Sequence, residues 1–204
     1  MNQNDKNLLS MLGIDEKRIT VGYGGIDKSK FFPQIFEEEN DEDYILVSGD
    51  CKERKRPDLV LDIILRNEDL KFLITGRGWK NYLEQKSTHL KNLEIRDFIA
   101  NENPLIVRNA KCLMSLSSVE GGPYPVLEAL ASGTPVLGSR TGWIPELVNE
   151  RNGRLVELNE NLDQISRKLR ECIQLKDKIR HSNCLVGDFS WDRYSEILFS
   201  RNGF

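Results

Sequence analysis

Short apolar runs alternate with amphipathic stretches along the chain. The apolar runs have the length of buried strands, and they predict strands at residues 19–23, 44–48, 71–75, 93–99, 112–116 and 134–138. Helical spacing and start signals such as Pro57 and Pro125 predict helices at residues 58–66, 79–86, 104–110, 125–132 and 145–149. Gly133 is placed to end the helix at 125–132, and Asn161 with Gln164 predicts a capping box that opens a further helix. Such alternation implies parallel strands joined by crossovers, so we predict an α/β fold with a doubly wound sheet.

Charge and composition exclude several classes of protein. The 204 residues carry 29 Lys and Arg against 32 Asp and Glu, a net charge of −3, so no nucleic-acid partner is expected. Hydrophobic residues make up 39% and charged residues 30%, which is typical of a soluble globular protein. The apolar runs are too short to span a membrane, and the polar amino terminus lacks a signal-peptide core. We therefore expect a cytoplasmic protein.

Cysteine and histidine are too sparse for a metal site. The cysteines at 51, 112, 172 and 184 form no C-x-x-C pair, which favours reduced thiols. His89 and His181 are far apart in the sequence, so no histidine-rich metal site is expected. The acidic run at residues 37–43 is expected to be a solvated loop.

The candidate chemistry lies in residues 117–136. This segment has the pattern of a strand end, a Gly-rich turn and a helix start, where free amides and the helix dipole favour an anion. Glu120 lies in the turn and Glu128 one turn into the helix, and each carboxylate can accept hydrogen bonds from a pair of sugar hydroxyls. Phosphate between two such carboxylates describes a nucleotide sugar. Taken singly, Glu128 could be an acid favoured by the helix dipole, Glu120 a surface residue and the glycines a plain turn.

Two prolines limit the amides that this turn can offer to a phosphate. Pro123 and Pro125 have no N–H group. The remaining predicted donors are the amides of Gly121, Gly122, Tyr124 and Val126.

The segment closely resembles a family signature, S-x-x-E-G-x-P-x4-E-A-x-A-x-G-x-P-V, of the family 4 (group 1) glycosyltransferases of GT-B fold. Every fixed element is present between Ser117 and Val136. The resemblance extends over nearly the whole chain, at residues 23–27 with 32–33, 55–59, 74–78, 142–146, 152–153 and 189–191.

The resemblance implies a Rossmann-like C-terminal donor-binding domain and a role for each matching residue. Glu128 would hold the nucleotide ribose, Glu120 the transferred sugar and Lys55 the phosphates, with Glu120 and Lys55 as the catalytic pair. The backbone at Phe98 and Ile99 would cradle the base. The implied reaction is retaining, metal-independent transfer of a hexose from a nucleotide diphosphate sugar to an acceptor hydroxyl, without a cofactor, in glycan or cell-surface polysaccharide synthesis.

Two positions depart from the family pattern. Asp50 stands where the family has a phosphate-binding arginine, and Arg54 or Arg56 could substitute because guanidinium binds phosphate bidentately. A solvated basic loop remains the alternative interpretation of this turn. Trp143 replaces a glycine, and it could narrow the acceptor side, stack on a sugar or simply pack.

The resemblance also predicts the domain organisation. Residues 1–33 would be the end of an N-terminal domain and the linker, and residues 34–204 the donor-binding domain, whose C-terminal helix at about 190–204 would pack back toward the N-terminal half. That half would hold the acceptor site and could associate peripherally with a membrane. The chain alone is expected to be incomplete and inactive, as a fragment, a truncated gene product or one half of a split enzyme.

Other functions remain as alternatives. A non-catalytic nucleotide-sugar binding or regulatory module fits the same motif. A receiver-like domain with Asp50 as phosphoacceptor lacks a convincing acidic partner. The Asp-x-Asp pattern at residues 41–43 precedes a strand, which disfavours a metal-dependent GT-A transferase. The chain has no GxxxxGK[ST] and no GxGxxG pattern, which excludes a Walker-type NTPase and disfavours a Rossmann oxidoreductase.

Overall fold

The computed structural model describes residues 2–33, 43–87, 90–176 and 189–199. The helices in these ranges are α1 Gln3–Met11, α2 Pro57–Arg66, α3 Trp79–Gln85, α4 Asn103–Asn109, α5 Tyr124–Ala131, α6 Ile144–Leu147, α7 Leu162–Ile173 and α8 Trp191–Phe199. The strands are β1 Tyr44–Ser48, β2 Lys71–Thr75, β3 Leu93–Arg96, β4 Cys112–Ser115, β5 Val136–Ser139 and β6 Gly153–Val156. Of these helices, none is long and apolar enough to cross a membrane.

The strands of the described chain form one parallel sheet in the order β3-β2-β1-β4-β5-β6. The chain winds outward from β1 to β3, then returns to the other side of β1 with β4 and winds outward again. This confirms the predicted doubly wound α/β fold. The order reverses between β1 and β4, and in such sheets a crevice opens where the loops leaving the two central strands diverge.

Two apolar layers cover the two faces of the sheet. Tyr44 and Leu46 of β1 pack into one layer with Val126 of α5, whereas Ile45 and Val47 pack into the other. Because both faces of the central strands are buried, their sequences are continuous apolar runs rather than alternating ones. This burial fixes the carboxyl ends of β1 and β4, from which the candidate site is built.

The predicted helix ends are present in the structure. Asn161 and Gln164 form the reciprocal capping box at the start of α7. Gly133 follows α5 with a φ of +67°, the left-handed conformation in which glycine commonly ends a helix.

Several boundaries differ from the sequence prediction. Residues 19–23 form no strand: a short 3-10 turn at Glu16–Arg18 is followed by extended chain. β3 ends at Arg96 rather than at residue 99, because residues 97–99 are exposed and pair with no strand of the described chain. β6 was not predicted; its short sequence, GRLV, includes a partly exposed arginine at the edge of the sheet.

Some predictions fall on residues outside the described ranges. These are residues 37–42 of the acidic run, His89, His181, Cys184 and residues 200–204 of the expected C-terminal helix. Asp43, the last residue of the acidic run, is exposed.

Helix α8 packs on the segment that precedes the sheet. The Ile26 amide donates to the Phe189 carbonyl at 2.8 Å, and Trp191 and Tyr194 lie against Gly25 and Gly22. The described end of the chain therefore returns to residues 22–26, which the resemblance assigns to the interdomain linker.

Candidate functional site

A cavity of about 680 Å³ lies at the carboxyl ends of β1, β2 and β3, beside the amino terminus of α5. We call it the switch-point cavity. Its lining residues come from the ends of three strands, with the loops that follow them, and from the start of one helix: Ser48, Gly49, Asp50, Thr75, Gly76, Arg77, Asp97, Phe98, Tyr124, Pro125 and Glu128. A cavity of this volume is large enough to hold a nucleotide.

Glu120 is the centre of a charged cluster in the loop after β4. Its Oε1 accepts hydrogen bonds from Lys55 Nζ at 2.6 Å and Ser117 Oγ at 2.7 Å, and Arg54 Nη1 lies 2.8 Å away. Burial alone would raise the pKa of this carboxyl, but the hydrogen bonds from Lys55 and Ser117 and the two positive charges lower it below its ordinary value. Glu120 is therefore held as a carboxylate on a nearly buried side chain, 7% exposed.

The turn after β1 brings Lys55 to this cluster. Residues Glu53–Lys55 form a 3-10 turn that ends at Arg56, whose φ of 52° is left-handed. The Ser118 amide donates to the Arg54 carbonyl at 2.8 Å, which fastens the turn to the loop after β4. The two loops on either side of the switch point thus hold each other in place.

The two arginines proposed as substitutes for the family arginine point in different directions. Arg54 contacts Glu120, as described above. Arg56 Nη2 donates to the Leu158 carbonyl at 3.4 Å, and no ion pair joins Arg56 to Glu120 in the described chain. The geometry therefore favours Arg54 over Arg56 as a phosphate ligand.

Three of the four amides predicted to bind a phosphate at the start of α5 are free. Within the described chain, the N–H groups of Gly121, Gly122 and Tyr124 have no hydrogen-bond partner. The Val126 amide donates to the Pro123 carbonyl at 3.0 Å, which corrects the expectation that it serves a phosphate. The Val126 N–H is therefore engaged in a hydrogen bond of the first turn of α5.

Glu128 faces the switch-point cavity from the second turn of α5. Its Oε2 accepts a hydrogen bond from Asn103 Nδ2 at 3.1 Å. Burial raises the pKa of this carboxyl, and the Asn103 hydrogen bond offsets only part of that effect. Glu128 therefore lacks the positively charged neighbours that lower the pKa of Glu120.

Asp50, at the position of the family arginine, is already neutralised. Its Oδ2 lies 2.7 Å from Arg77 Nη2, and its Oδ1 accepts from the Arg77 amide at 3.0 Å. The side-chain hydrogen bond from Arg77 is the main cause that lowers the pKa of Asp50. Arg77 was missed by the sequence analysis, although a basic residue in the Gly-Arg-Gly turn that follows β2 was the available signal.

The wall formed by β2 and β3 contributes two groups that the sequence analysis missed, Thr75 and Asp97, beside Phe98, which it predicted. Thr75 is buried, and its Oγ1 has no partner in the part of the chain that the structure describes. Asp97 and Phe98 follow β3 and line the cavity, and Phe98 is 53% exposed. Ile99, predicted together with Phe98, is also exposed but does not line the cavity.

Trp143 supports the anion loop by packing. Its indole lies against Gly122, where a Cβ atom would come within 2.6 Å of Cε2, and it makes edge contacts with Tyr23 and Tyr124. Trp143 is 6% exposed, so of the three roles left open for it the structure favours packing. On the other side, the Tyr124 ring stacks on Trp191 of α8 with centroids 6.3 Å apart.

Comparison with known proteins gives a consistent picture. The sequence model of the family described as "Glycosyl transferases group 1" matches residues 28–183. The O-antigen chain mannosyltransferase RfbU of Salmonella typhimurium is 26% identical over 196 residues, which is 91% of this chain and 53% of RfbU. The uncharacterized glycosyltransferase MJ1178 of Methanocaldococcus jannaschii is 28% identical over 204 residues, which is 94% of this chain and 53% of MJ1178.

A solved structure shares the fold. Anabaena Alr3699/HepE in complex with UDP-glucose superposes with a TM-score of 0.75 at 15% identity, over 98% of this chain and 62% of that chain. The chain described here spans about half the length of the two curated relatives.

Proposed function

The chain belongs to the group 1 glycosyl transferases, and on that premise we propose that it binds the nucleotide diphosphate sugar donor of a hexosyltransferase. The observation that carries this proposal is the Lys55–Glu120 contact at 2.6 Å, made across the switch point beside three free loop amides. A cation, free amides and a carboxylate at one point suit a phosphate joined to a sugar.

Different groups of the protein would bind the three parts of the donor, namely the diphosphate, the ribose and the transferred sugar. The diphosphate would lie on the amides of Gly121, Gly122 and Tyr124, within reach of Lys55 and Arg54. The ribose hydroxyls would bind Glu128, whose carboxyl faces the switch-point cavity. The transferred sugar would bind Glu120, which is held as a carboxylate by its neighbours.

The same groups would stabilise the leaving group of the reaction. When the bond between the sugar and the diphosphate breaks, negative charge grows on the leaving nucleoside diphosphate. Lys55, Arg54 and the loop amides are fixed near that charge before the reaction begins, which is electrostatic catalysis by preorganised donors. These donors are why we propose a metal-independent reaction, and the family resemblance is why we propose retention of the anomeric configuration.

The relatives support a carbohydrate substrate. RfbU is named an O-antigen chain mannosyltransferase, and the HepE structure contains UDP-glucose. We therefore propose a hexose donor, an acceptor hydroxyl on a growing glycan or polysaccharide, and action in the cytoplasm. The chain spans about half of its curated relatives, and we propose that the acceptor site lies in a domain beyond these 204 residues.

Binding of nucleoside diphosphates to the 204-residue chain tests the proposal. Isothermal titration with UDP, GDP and ADP should show binding of at least one, and a ligand at a hundred times its Kd should add about 2.7 kcal/mol of stability. Lys55→Gln should weaken that binding at least about tenfold, whereas Lys52→Gln, an exposed lysine on the same turn, should leave it unchanged.

Two results would contradict the proposal: no nucleoside diphosphate binds, or Lys55→Gln binds as well as the unmodified chain. The melting temperature of Lys55→Gln without ligand checks that the variant is folded. Donor binding without transfer, in a protein that also carries an acceptor domain, would favour the non-catalytic alternative.

A further inference from the structure

The switch-point cavity has a part that the diphosphate, the ribose and the sugar leave unfilled. If the proposed function holds, on which this inference rests, the phosphates lie at the start of α5 and the ribose at Glu128. The cavity continues from there under the carboxyl ends of β2 and β3, where Asp97 and Phe98 line it. The base of the nucleotide is the remaining portion of the donor, and this wall is the remaining space.

Asp97 is placed at this wall by the strand register. Thr75 of β2 pairs with Arg96 of β3, and the Gly76 amide donates to the Arg96 carbonyl at 3.3 Å. Asp97 is therefore the first residue beyond the pairing and lies next to the turn that carries Arg77. Phe98 follows it with an exposed ring that a planar base can stack on.

Asp97 differs from the other acids around it in having no partner. Asp50 is bound by Arg77, Glu94 by Arg96, and Glu128 accepts from Asn103. Asp97 is exposed and makes no hydrogen bond or ion pair within the described ranges. Both of its oxygens are available to a ligand in the cavity.

A carboxylate with two free oxygens matches one base better than the others. Guanine presents two adjacent donors, N1–H and N2–H, which a carboxylate can accept together. Uracil presents one N–H between two carbonyl oxygens, and adenine and cytosine each present a donor next to an acceptor. With any of these three, an acceptor lone pair would face a carboxylate oxygen. We propose that Asp97 selects guanine, so that the donor of this chain is a guanosine diphosphate sugar.

Two nucleotides that differ by one amino group test this directly. Inosine diphosphate is GDP without the 2-amino group, so it can give Asp97 only one hydrogen bond. Titration of the 204-residue chain should show GDP binding at least about fivefold more tightly than inosine diphosphate, and more tightly than UDP or ADP. This comparison needs no variant and does not depend on how a mutant folds.

The variant Asp97→Asn then links the preference to the residue. Its amide replaces one acceptor by a donor, so the difference between GDP and inosine diphosphate should shrink to less than about twofold, and UDP should bind more tightly than to the unmodified chain because the amide N–H can pair with a uracil carbonyl. Asp62→Asn, an exposed acid on α2 away from the cavity, is the matched control and should keep the full GDP preference.

The outcomes separate this inference from the proposed function. Tighter binding of UDP or ADP than of GDP, or an unchanged preference in Asp97→Asn, overturns the role of Asp97 and leaves the donor site standing. Failure of every nucleoside diphosphate to bind overturns both.

Discussion

Lys55 Nζ lies 2.6 Å from Glu120 Oε1, although the two residues are 65 positions apart in the sequence. The contact exists because β1 and β4 are neighbours in the sheet, so the turn after β1 lies beside the loop after β4, to which the hydrogen bond from the Ser118 amide to the Arg54 carbonyl fastens it. It is a partly buried ion pair, with side-chain exposures of 16% for Lys55 and 7% for Glu120. Such a pair aligns charges for a ligand more than it stabilises the fold.

Glu120→Gln should weaken binding of the sugar part of the donor without weakening binding of its diphosphate. The glutamine cannot neutralise Lys55 and Arg54, so the free nucleoside diphosphate should bind equally well or more tightly. The nucleotide sugar should lose the part of its affinity that comes from its hexose. Unfolding by urea should show a loss of about 1–3 kcal/mol, because Lys55 keeps a partly buried charge without its partner.

The control for this change is Glu157→Gln. Glu157 pairs with Arg140 at 2.7 Å, but both side chains are about half exposed. An exposed pair contributes about 0–1 kcal/mol, so neither stability nor binding should change much. Equal effects of the two substitutions would argue against a special role for Glu120.

Acid should remove the contribution of Glu120 to stability. Its folded-state pKa lies below its ordinary value, so the unfolded chain takes up this proton first as the pH falls. The stabilisation is complete above the ordinary pKa of a glutamate, near 4.5, and is lost as the pH falls through the lowered value. Urea unfolding free energies of the unmodified chain and of Glu120→Gln should therefore differ above the ordinary pKa and converge once the pH has fallen below the lowered folded-state pKa.

Glu128→Gln should stabilise the chain and weaken its binding. Burial raises the pKa of this carboxyl, so at neutral pH the ionised form is a cost to the folded state. The gain in melting temperature should be largest at neutral pH and should shrink as the pH falls through the raised pKa, where the folded chain becomes protonated. Affinity for a nucleoside diphosphate should fall about tenfold or more, because a charged acceptor is lost.

The pH profile of melting temperature distinguishes this interpretation from simple repacking. A gain for Glu128→Gln that did not depend on pH would show that the carboxylate charge is not its cause. A variant that is less stable than the unmodified chain at neutral pH would contradict the prediction.

Gly122→Ala should damage the anion loop, whereas Gly121→Ala should not. A Cβ at Gly122 would collide with the Trp143 indole, but around Gly121 no atom of the described chain lies within 4 Å of the corresponding position. We expect Gly122→Ala to cost about 1–3 kcal/mol of unfolding free energy and to reduce nucleotide affinity. Chemical denaturation and titration of both variants measure the difference, and similar behaviour of the pair would contradict the packing described here.

Asp50→Asn should tighten nucleotide binding. Asp50 lines the cavity, and its charge opposes a diphosphate even though Arg77 compensates it. Arg77 is 84% exposed in this pair, so the loss of stability should stay below about 1 kcal/mol. Affinity should rise a few-fold, and more at low salt, because screening weakens the repulsion.

Asp58→Asn is the matched control, since Asp58 is an exposed acid that pairs with Lys86 and does not line the cavity. Titrations at low and high salt should show no change for that variant. An Asp50→Asn variant with weaker binding would mean that Asp50 takes part in binding the ligand through Arg77.

The central strands could be predicted from the sequence because they are buried on both faces. Residues of β1 and β2 form uninterrupted apolar runs, and their predicted bounds agree with the structure. The edge strand β6 is half exposed and carries Arg154, so its pattern was not recognisable. At residues 19–23 the local pattern was strand-like, but a strand forms only when a neighbouring strand pairs with it. In the described chain the pairing near this segment is a single bridge between Ile26 and Ser190.

Some residues of the candidate site could likewise be predicted from the sequence, and others could not. Glu120 and Glu128 could be named because they belong to one motif with fixed spacing, and Lys55 because it opens a second matching stretch at residues 55–59. Asp50 and Arg77 meet only when β1 and β2 lie side by side in register, and that register cannot be read from either segment alone. The use of the Val126 amide within the helix depended on the geometry of the first turn of α5.

The stack of Tyr124 on Trp191 gives the protein an intrinsic optical reporter. Tyr124 lines the mouth of the switch-point cavity, and Trp191 is 49% exposed beside it. Trp79 is buried at 1% exposure and should emit as a constant background, whereas Trp143, at 6% exposure, contacts both Gly122 and Tyr124 and can contribute to the change. A molecule that settles against Tyr124 changes the polarity around Trp191, so the fluorescence of an unlabelled sample should register when the cavity fills.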